Sequence, residues 1–183
     1  SSRKEVQMRV TREQLLMIMP TASKRVDLYI GVINGWCDTF GIDTPLRMAH
    51  YLAQIAHESG ELKYTKEIAS GRAYEGRKDL GNTHPGDGVK YKGRGLIQIT
   101  GRANYEAYMR FCKFDVVSTP ELLERPLGAV KSSMWYWDRH NLNALADKDD
   151  IKKITRIING GYNGLASRMA YLNRAKKALK IIA

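Results

Sequence analysis

Asp43-Thr44-Pro45-Leu46-Arg47-Met48-Ala49-His50-Tyr51-Leu52-Ala53-Gln54-Ile55-Ala56-His57-Glu58-Ser59-Gly60 is the stretch from which the rest of the chain can be read. Pro45 suits the first position of a helix, where its missing N–H has no intrahelical partner to lose. Leu46, Met48, Ala49, Leu52, Ala53, Ile55 and Ala56 then cover most of the helix circumference. A helix apolar nearly all round is a buried core helix, and Ser59-Gly60 ends it. One carboxylate, Glu58, is left in its last turn, where burial and the negative end of the helix dipole both work against a bare negative charge.

Helical patterns surround this segment. Thr11-Arg12-Glu13-Gln14 has capping-box spacing and opens a short apolar helix, Leu15-Leu16-Met17-Ile18, stopped by Pro20. Val26, Tyr29, Ile30, Ile33, Trp36, Cys37 and Phe40 recur at i, i+3 and i+4, predicting an amphipathic helix over 25–40 with Gly41 as its terminator. Further helices are predicted over 101–112, after Thr119-Pro120, over 127–139, over 148–158 and over 165–182. In the last of these Leu165, Met169, Leu172, Ala175, Leu179 and Ile182 are expected to point inward. Residues 61–95 differ: they are rich in glycine and hold the turn His84-Pro85-Gly86-Asp87-Gly88. Leu96-Ile97-Gln98-Ile99-Thr100 reads as a short strand, so a small hairpin is expected beside this loop. The expected architecture is a single mainly α domain over 1–183, with residues 1–10 a flexible extension and no second domain.

The chain has 183 residues, of which 43% are hydrophobic, enough for one domain with a real core. No apolar run approaches the roughly 20 residues that span a bilayer, and the sequence as it stands begins without the apolar segment of a secretory signal. Cys37 and Cys112 lie in helical, partly apolar segments and read as two buried thiols. No Cys/His cluster has metal spacing: in His57-Glu58-Ser59-Gly60-Glu61 the second zinc histidine would fall at Glu61. No metal or other cofactor is expected. A net charge of +11 points to a polyanionic partner. Eight of the basic residues fall between Ile151 and Ala183, which hold no Asp or Glu, and a solvated helix face is the simplest account of them.

The chemistry-bearing residues converge on hydrolysis of a glycosidic bond, which needs an acid and a base in unlike surroundings. Glu58 suits the acid. Glu67, nine positions on in Tyr64-Thr65-Lys66-Glu67, sits in a polar loop where a carboxylate can activate water; Glu61 and Glu75 compete with it, and spacing does not choose among them. On a strand, Gln98 and Thr100 would share a face, suited to holding water or an N-acetyl group. Asn159, in Asn159-Gly160-Gly161, is either a helix terminator or a ligand contact. Tyr91, in the same glycine-rich region, is a further candidate for substrate contact. Trp135 and Trp137 read as core.

Together, Ala53-Gln54, His57-Glu58, a second glutamate, Gly93-Arg94-Gly95-Leu96-Ile97-Gln98-Ile99-Thr100, Asn104-Tyr105, Ile158-Asn159-Gly160-Gly161 and a late arginine resemble glycoside hydrolase family 19. The resemblance covers about Leu46 to Arg174. It implies a lysozyme-like, two-lobed α domain with the minor β-hairpin beside a cleft. It also implies single displacement with inversion, Glu58 as general acid and Glu67 as general base, with Glu75 kept as a second candidate for base or substrate contact. Gln98, Thr100, Asn104 and Asn159 would hold water and substrate, and Arg168 would interact with the catalytic carboxylates. Leu96 stands where the plant chitinases of this family have proline, and Ala73-Tyr74-Glu75-Gly76-Arg77-Lys78-Asp79-Leu80-Gly81-Asn82 looks like the family's phage endolysins. That branch implies bacterial peptidoglycan as partner, synthesis in the cytoplasm of an infected host, and release to the wall through a holin-type pore. The basic C-terminal helix is then expected to contact an anionic outer membrane. Nothing calls for nucleic acid or for more than a monomer. A chitinase and a non-catalytic basic binding module are the competing readings.

Overall fold

The computed structural model describes residues 8–183; most of the expected extension at 1–10 lies outside the described residues. The helices are α1 (Arg12–Ile18), α2 (Arg25–Trp36), α3 (Pro45–Glu58), α4 (Asp87–Lys90), α5 (Arg102–Cys112), α6 (Pro126–Arg139), α7 (Leu142–Asp147), α8 (Ile151–Asn159) and α9 (Leu165–Ala178). Local chemistry explains their ends. The Thr11 side chain accepts from the Gln14 amide while the Gln14 side chain caps Thr11 in return. Thr44 caps α3 by accepting from the Arg47 amide, with Pro45 in the first turn. Helix α2 stops earlier than its apolar pattern suggests: Asp38–Phe40 tightens into a 3-10 turn closed by Gly41 at φ +72°.

Helix α3 is the axis of the larger lobe, buried continuously from Met48 to Ala56. Helix α9 packs along it, α1 packs on α9, and α2 packs on α6. One apolar cluster unites α1, α2, α3, α6 and the C-terminal helices; a second, smaller one holds Tyr91, Ile99, Tyr105, Tyr108, Cys112, Val116 and Leu123. Trp135 packs against the smaller cluster and also borders the larger one. Two apolar clusters around a shared α6 make the two lobes of a mainly α, lysozyme-like domain.

Several expectations need correction. Leu96–Thr100 is not a strand of a hairpin. Arg94 and Ile99 exchange backbone hydrogen bonds at 3.2 and 2.9 Å around a tight turn, and the extended pairing is limited to isolated bridges at Lys66, Arg94 and Ile99. Gly95 at φ +103° bends the chain there, where a Cβ would lie 2.8 Å from the Ser132 hydroxyl. Met169 and Ile182 face outward, 48% and 40% exposed; the inner face of α9 is instead Arg168, Leu172, Ala175 and Ala178. The helix predicted over 148–158 is α8, which starts only at Ile151 after Asp149 at φ +55°, and a short helix not predicted, α7, precedes it. Both cysteines are free and buried. Among the described residues no helix is long and apolar enough to cross a membrane.

Candidate active site

Glu58 ends α3, and its side chain is 23% exposed. Arg168, on the inner face of α9, brings an Nη atom to 2.6 Å from Glu58 Oε1. That guanidinium is 1% exposed, and its desolvation is offset by two further bonds, to Gln54 Oε1 at 2.6 Å and to the Asn163 carbonyl at 3.3 Å. Gln54 lies one turn before Glu58 on α3 and passes its own amide N–H to Thr155 of α8 at 3.3 Å. The carboxyl is therefore held by three helices. His57 beside it bonds Ser167 Oγ at 3.0 Å, and its ring lies where a Cβ on Gly164 would come within 2.3 Å. Burial, then the Arg168 charge, lowers the His57 pKa from its ordinary value.

Glu67 is held differently. Its backbone N–H donates to the Gly93 carbonyl at 2.9 Å, the Gly93 N–H donates to Glu67 Oε1 at 2.6 Å, and the Tyr74 hydroxyl donates to Oε2 at 3.0 Å. Glycine at 93 lets Gln98 lie close, since a Cβ there would come 2.5 Å from Gln98 Oε1 and push that side chain aside. Glu67, Gly93 and Gln98 are thus stacked directly on one another. Glu75 spends both carboxylate oxygens on its own loop, accepting from the amides of Gly86 (2.9 Å) and Gly88 (3.0 Å). Those N–H groups hold its pKa below the ordinary carboxylate value. Asp87, almost wholly buried, receives a bidentate Arg102 at 2.7 and 2.9 Å and fixes the loop to α5.

A cavity of about 210 Å³ is walled by Leu80, Gln98, Ile99, Thr100, Asn104, Trp135, Tyr136, Arg139 and His140. Gln98, on this wall, packs on Gly93, whose N–H donates to Glu67. Tyr136, also on the wall, has its hydroxyl pushed up to about 12 by burial and by the nearby Glu58 charge; neither Glu58 nor Glu67 is itself part of the wall. The structure therefore brings Gln98, Thr100 and Asn104 to one wall. Asn104 gives its amide N–H to the Thr100 carbonyl at 2.8 Å, which leaves its own oxygen for another partner. Asn159 closes α8 before Gly160 at φ +81°, and its Oδ1 accepts from the Asn163 amide at 3.2 Å. That turn reaches Glu58 through Asn163 and Arg168. Tyr91 is not on the cavity wall: it is wholly buried in the smaller lobe, its hydroxyl donating to the Val117 carbonyl at 2.9 Å. Of the aromatic stripe, Trp137 is core, its indole N–H donating to Asn143 at 2.8 Å, whereas Trp135 and Tyr136 also form cavity wall. The sequence reading passed over Tyr74, Arg139 and His140. Tyr74 carried no signal beyond its loop, and the other two looked like an ordinary basic helix end.

A helix-borne carboxyl held by Arg168 and a loop-borne one held by Gly93 and Tyr74, in a two-lobed, mainly α domain, fit a lysozyme-like glycoside hydrolase. The chain is 33% identical over 183 aligned residues to a Haemophilus influenzae glycosyl hydrolase family 19 domain-containing protein, an alignment covering 82% of this chain and 88% of that one. The protein belongs to glycoside hydrolase family 19. It is also 37% identical over 116 residues to an Arabidopsis thaliana endochitinase, covering 62% of this chain and 39% of that longer protein. In fold it is similar to a mutant of chitinase C, with a TM-score of 0.76 at 21% identity, covering 97% of this chain and 96% of that one. It is also similar to a class IV chitinase from Zea mays, at 0.61 and 23%, covering 94% and 82%. No family model matches the chain.

Proposed function

We propose that the protein is a peptidoglycan-degrading endolysin that hydrolyses β-1,4 bonds of the cell-wall glycan by single displacement. Glu58 protonates the departing glycosidic oxygen, and Glu67 takes a proton from a water attacking the opposite face of the sugar. The negative charge left on Glu58 is met by Arg168 at 2.6 Å. Gln98, Thr100, Asn104 and the Asn159 turn order the water and the N-acetyl groups. The base is assigned to Glu67 rather than Glu75, because Glu75 is committed to the Gly86 and Gly88 amides while Glu67 is joined through Gly93 to Gln98 of the cavity wall. The observation that carries the reading is this pair of differently anchored carboxyls, Glu67 bonded to the Gly93 that packs on Gln98 of a polar and aromatic cavity wall, and Glu58 near Tyr136 of the same wall.

Peptidoglycan is favoured over chitin by charge: the protein carries +11, and the cavity wall has basic residues and no carboxylate. An endolysin of this kind would be made in the cytoplasm of an infected host and reach the wall through a holin-type pore. Contact between α9 and an anionic outer membrane would be electrostatic, since the apolar face of α9 is spent on α3. The chitinase reading draws on the similarity to an Arabidopsis thaliana endochitinase and a Zea mays chitinase.

Release of reducing sugars from purified peptidoglycan and from chitin, measured in parallel, tests the proposal. Faster turnover of peptidoglycan is expected. Preference for chitin would make the protein a chitinase, and no release from either polymer would leave a basic binding module.

A further inference from the structure

The last turn of α6 gives the cavity a feature that the acid/base reading does not use. Arg139 lies over the Trp135 ring, its guanidinium carbon 4.9 Å from the ring centroid. Beside it His140 stacks on Tyr136 with centroids 4.0 Å apart and planes at 28°, its Nδ1–H donating to the Tyr136 carbonyl at 2.9 Å. All four side chains share the wall with Gln98, Thr100 and Asn104, and none of the lining residues is acidic. Other arginines of the site region are neutralised: Arg94 by Glu124, Arg102 by Asp87 and Arg168 by Glu58. Among the described residues Arg139 has no such carboxylate partner. A guanidinium held against an aromatic face keeps its rim of N–H donors for a planar, bidentate acceptor, and less side-chain freedom is lost when one binds.

We infer that Arg139, on its Trp135 shelf, receives a carboxylate of the substrate and makes the cleft selective for an acid-bearing glycan over a neutral one. The inference rests on the peptidoglycan reading above, and it names what that reading leaves open: which group tells the two polymers apart. Peptidoglycan carries carboxylates on its lactyl-linked peptide substituents, whereas chitin is uncharged. The role is one of substrate binding, separate from proton transfer at Glu58 and Glu67.

The test uses one polymer in two forms, native peptidoglycan and the same material with its carboxylates converted to amides, cleaved by the parent enzyme and by Arg139→Gln. For the parent, amidation is expected to lower kcat/KM by about threefold to tenfold, the scale of a partly exposed charge-assisted pair. Arg139→Gln should be slower than the parent on native polymer and nearly indifferent to amidation. Arg139→Lys, which keeps the charge and loses the planar fork, should fall between them. Raising the salt concentration should shrink the parent's preference for the native form and leave that of Arg139→Gln flat. Equal slowing of both enzymes by amidation, with peptidoglycan still cleaved, would overturn the inference and leave the endolysin reading standing. A parent enzyme that cleaves neither form would overturn that reading, and this inference with it.

Discussion

The two carboxyls proposed as acid and base are held by opposite means. Glu58 is fixed by helices: α3 carries it, α9 supplies Arg168, and α8 secures Gln54, so a single buried network joins residues 54, 58, 155, 163 and 168. Glu67 is fixed by loops: backbone from Gly93, a hydroxyl from Tyr74, and beneath them a framework in which Glu75 and Asp87 bind backbone amides and Arg102. The helical side rests on the larger apolar cluster, and the loop side leans on the smaller one. The difference teaches where robustness lies. The position of Glu58 is a property of the core, whereas that of Glu67 depends on a few half-buried loop contacts that can open locally.

Breaking the helical side should cost most. Arg168→Ala leaves Gln54 and Glu58 without their shared partner, and a loss of about 3 kcal/mol of stability is expected, the low end for a broken buried pair because Glu58 is partly open to solvent. Thermal or denaturant unfolding measures it, and a loss below 1 kcal/mol would mean that the network is only decorative. On the loop side, Asp87→Ala strips Arg102 and the His84 amide of their acceptor. About 2 kcal/mol is expected from the lost charged hydrogen bonds, felt first as faster proteolysis within residues 75–101 and only later as global unfolding. Simultaneous loss of both lobes would erase the distinction drawn here.

Tyr74→Phe removes one bond to Glu67 and should cost under about 1 kcal/mol of stability. Its sharper effect should be a severalfold drop in kcat with little change in KM, because it frees the base without touching the sugar wall. The smallest effects are in pH. Burial, opposed by Asp149, lowers the pKa of His50 from 6.5, so its contribution is present above that value and lost as pH falls below it. The folded pKa of Glu75 is likewise lowered, from 4.5, so its loop keeps its clamp above that value and loses it as pH falls through the folded pKa. The melting temperature of the parent should therefore begin to fall near pH 6.5 and that of His50→Gln should not, while the Gly86 and Gly88 amide resonances should move only below pH 4.5.

How much of this was legible in the sequence follows the same divide. The α3 segment announced itself through Thr44-Pro45 and its unbroken apolar surface, and Glu58 with it, because a helix writes its burial into a regular period. The family's ordered residues pointed to Arg168, and the structure places it on Glu58. The loop side follows no period. Leu96-Ile97-Gln98-Ile99-Thr100 alternated like a strand, yet Gly95 turned it and Gln98 came to rest on Gly93, a contact set by tertiary packing. Tyr91 looked available in a polar loop and proved to be the core of the smaller lobe, since aromatic residues in irregular segments carry no phase to show which way they face. The isoleucine spacing marked α8, but its start was read too early, because Asp149 at φ +55° holds the helix off until Ile151.

The measurement that bears most directly on the account is the turnover of peptidoglycan by Glu58→Gln, Glu67→Gln and Glu75→Gln beside the parent, each with its melting temperature. Glu58→Gln and Glu67→Gln are expected to lose at least about 10²-fold in kcat, the scale of general acid or base catalysis, while staying folded. Glu75→Gln should keep most of its rate and loosen only its loop. A Glu67→Gln enzyme that turns over like the parent, or a Glu75→Gln enzyme as inactive as Glu58→Gln, would contradict the division of labour between the helix-borne acid and the loop-borne base.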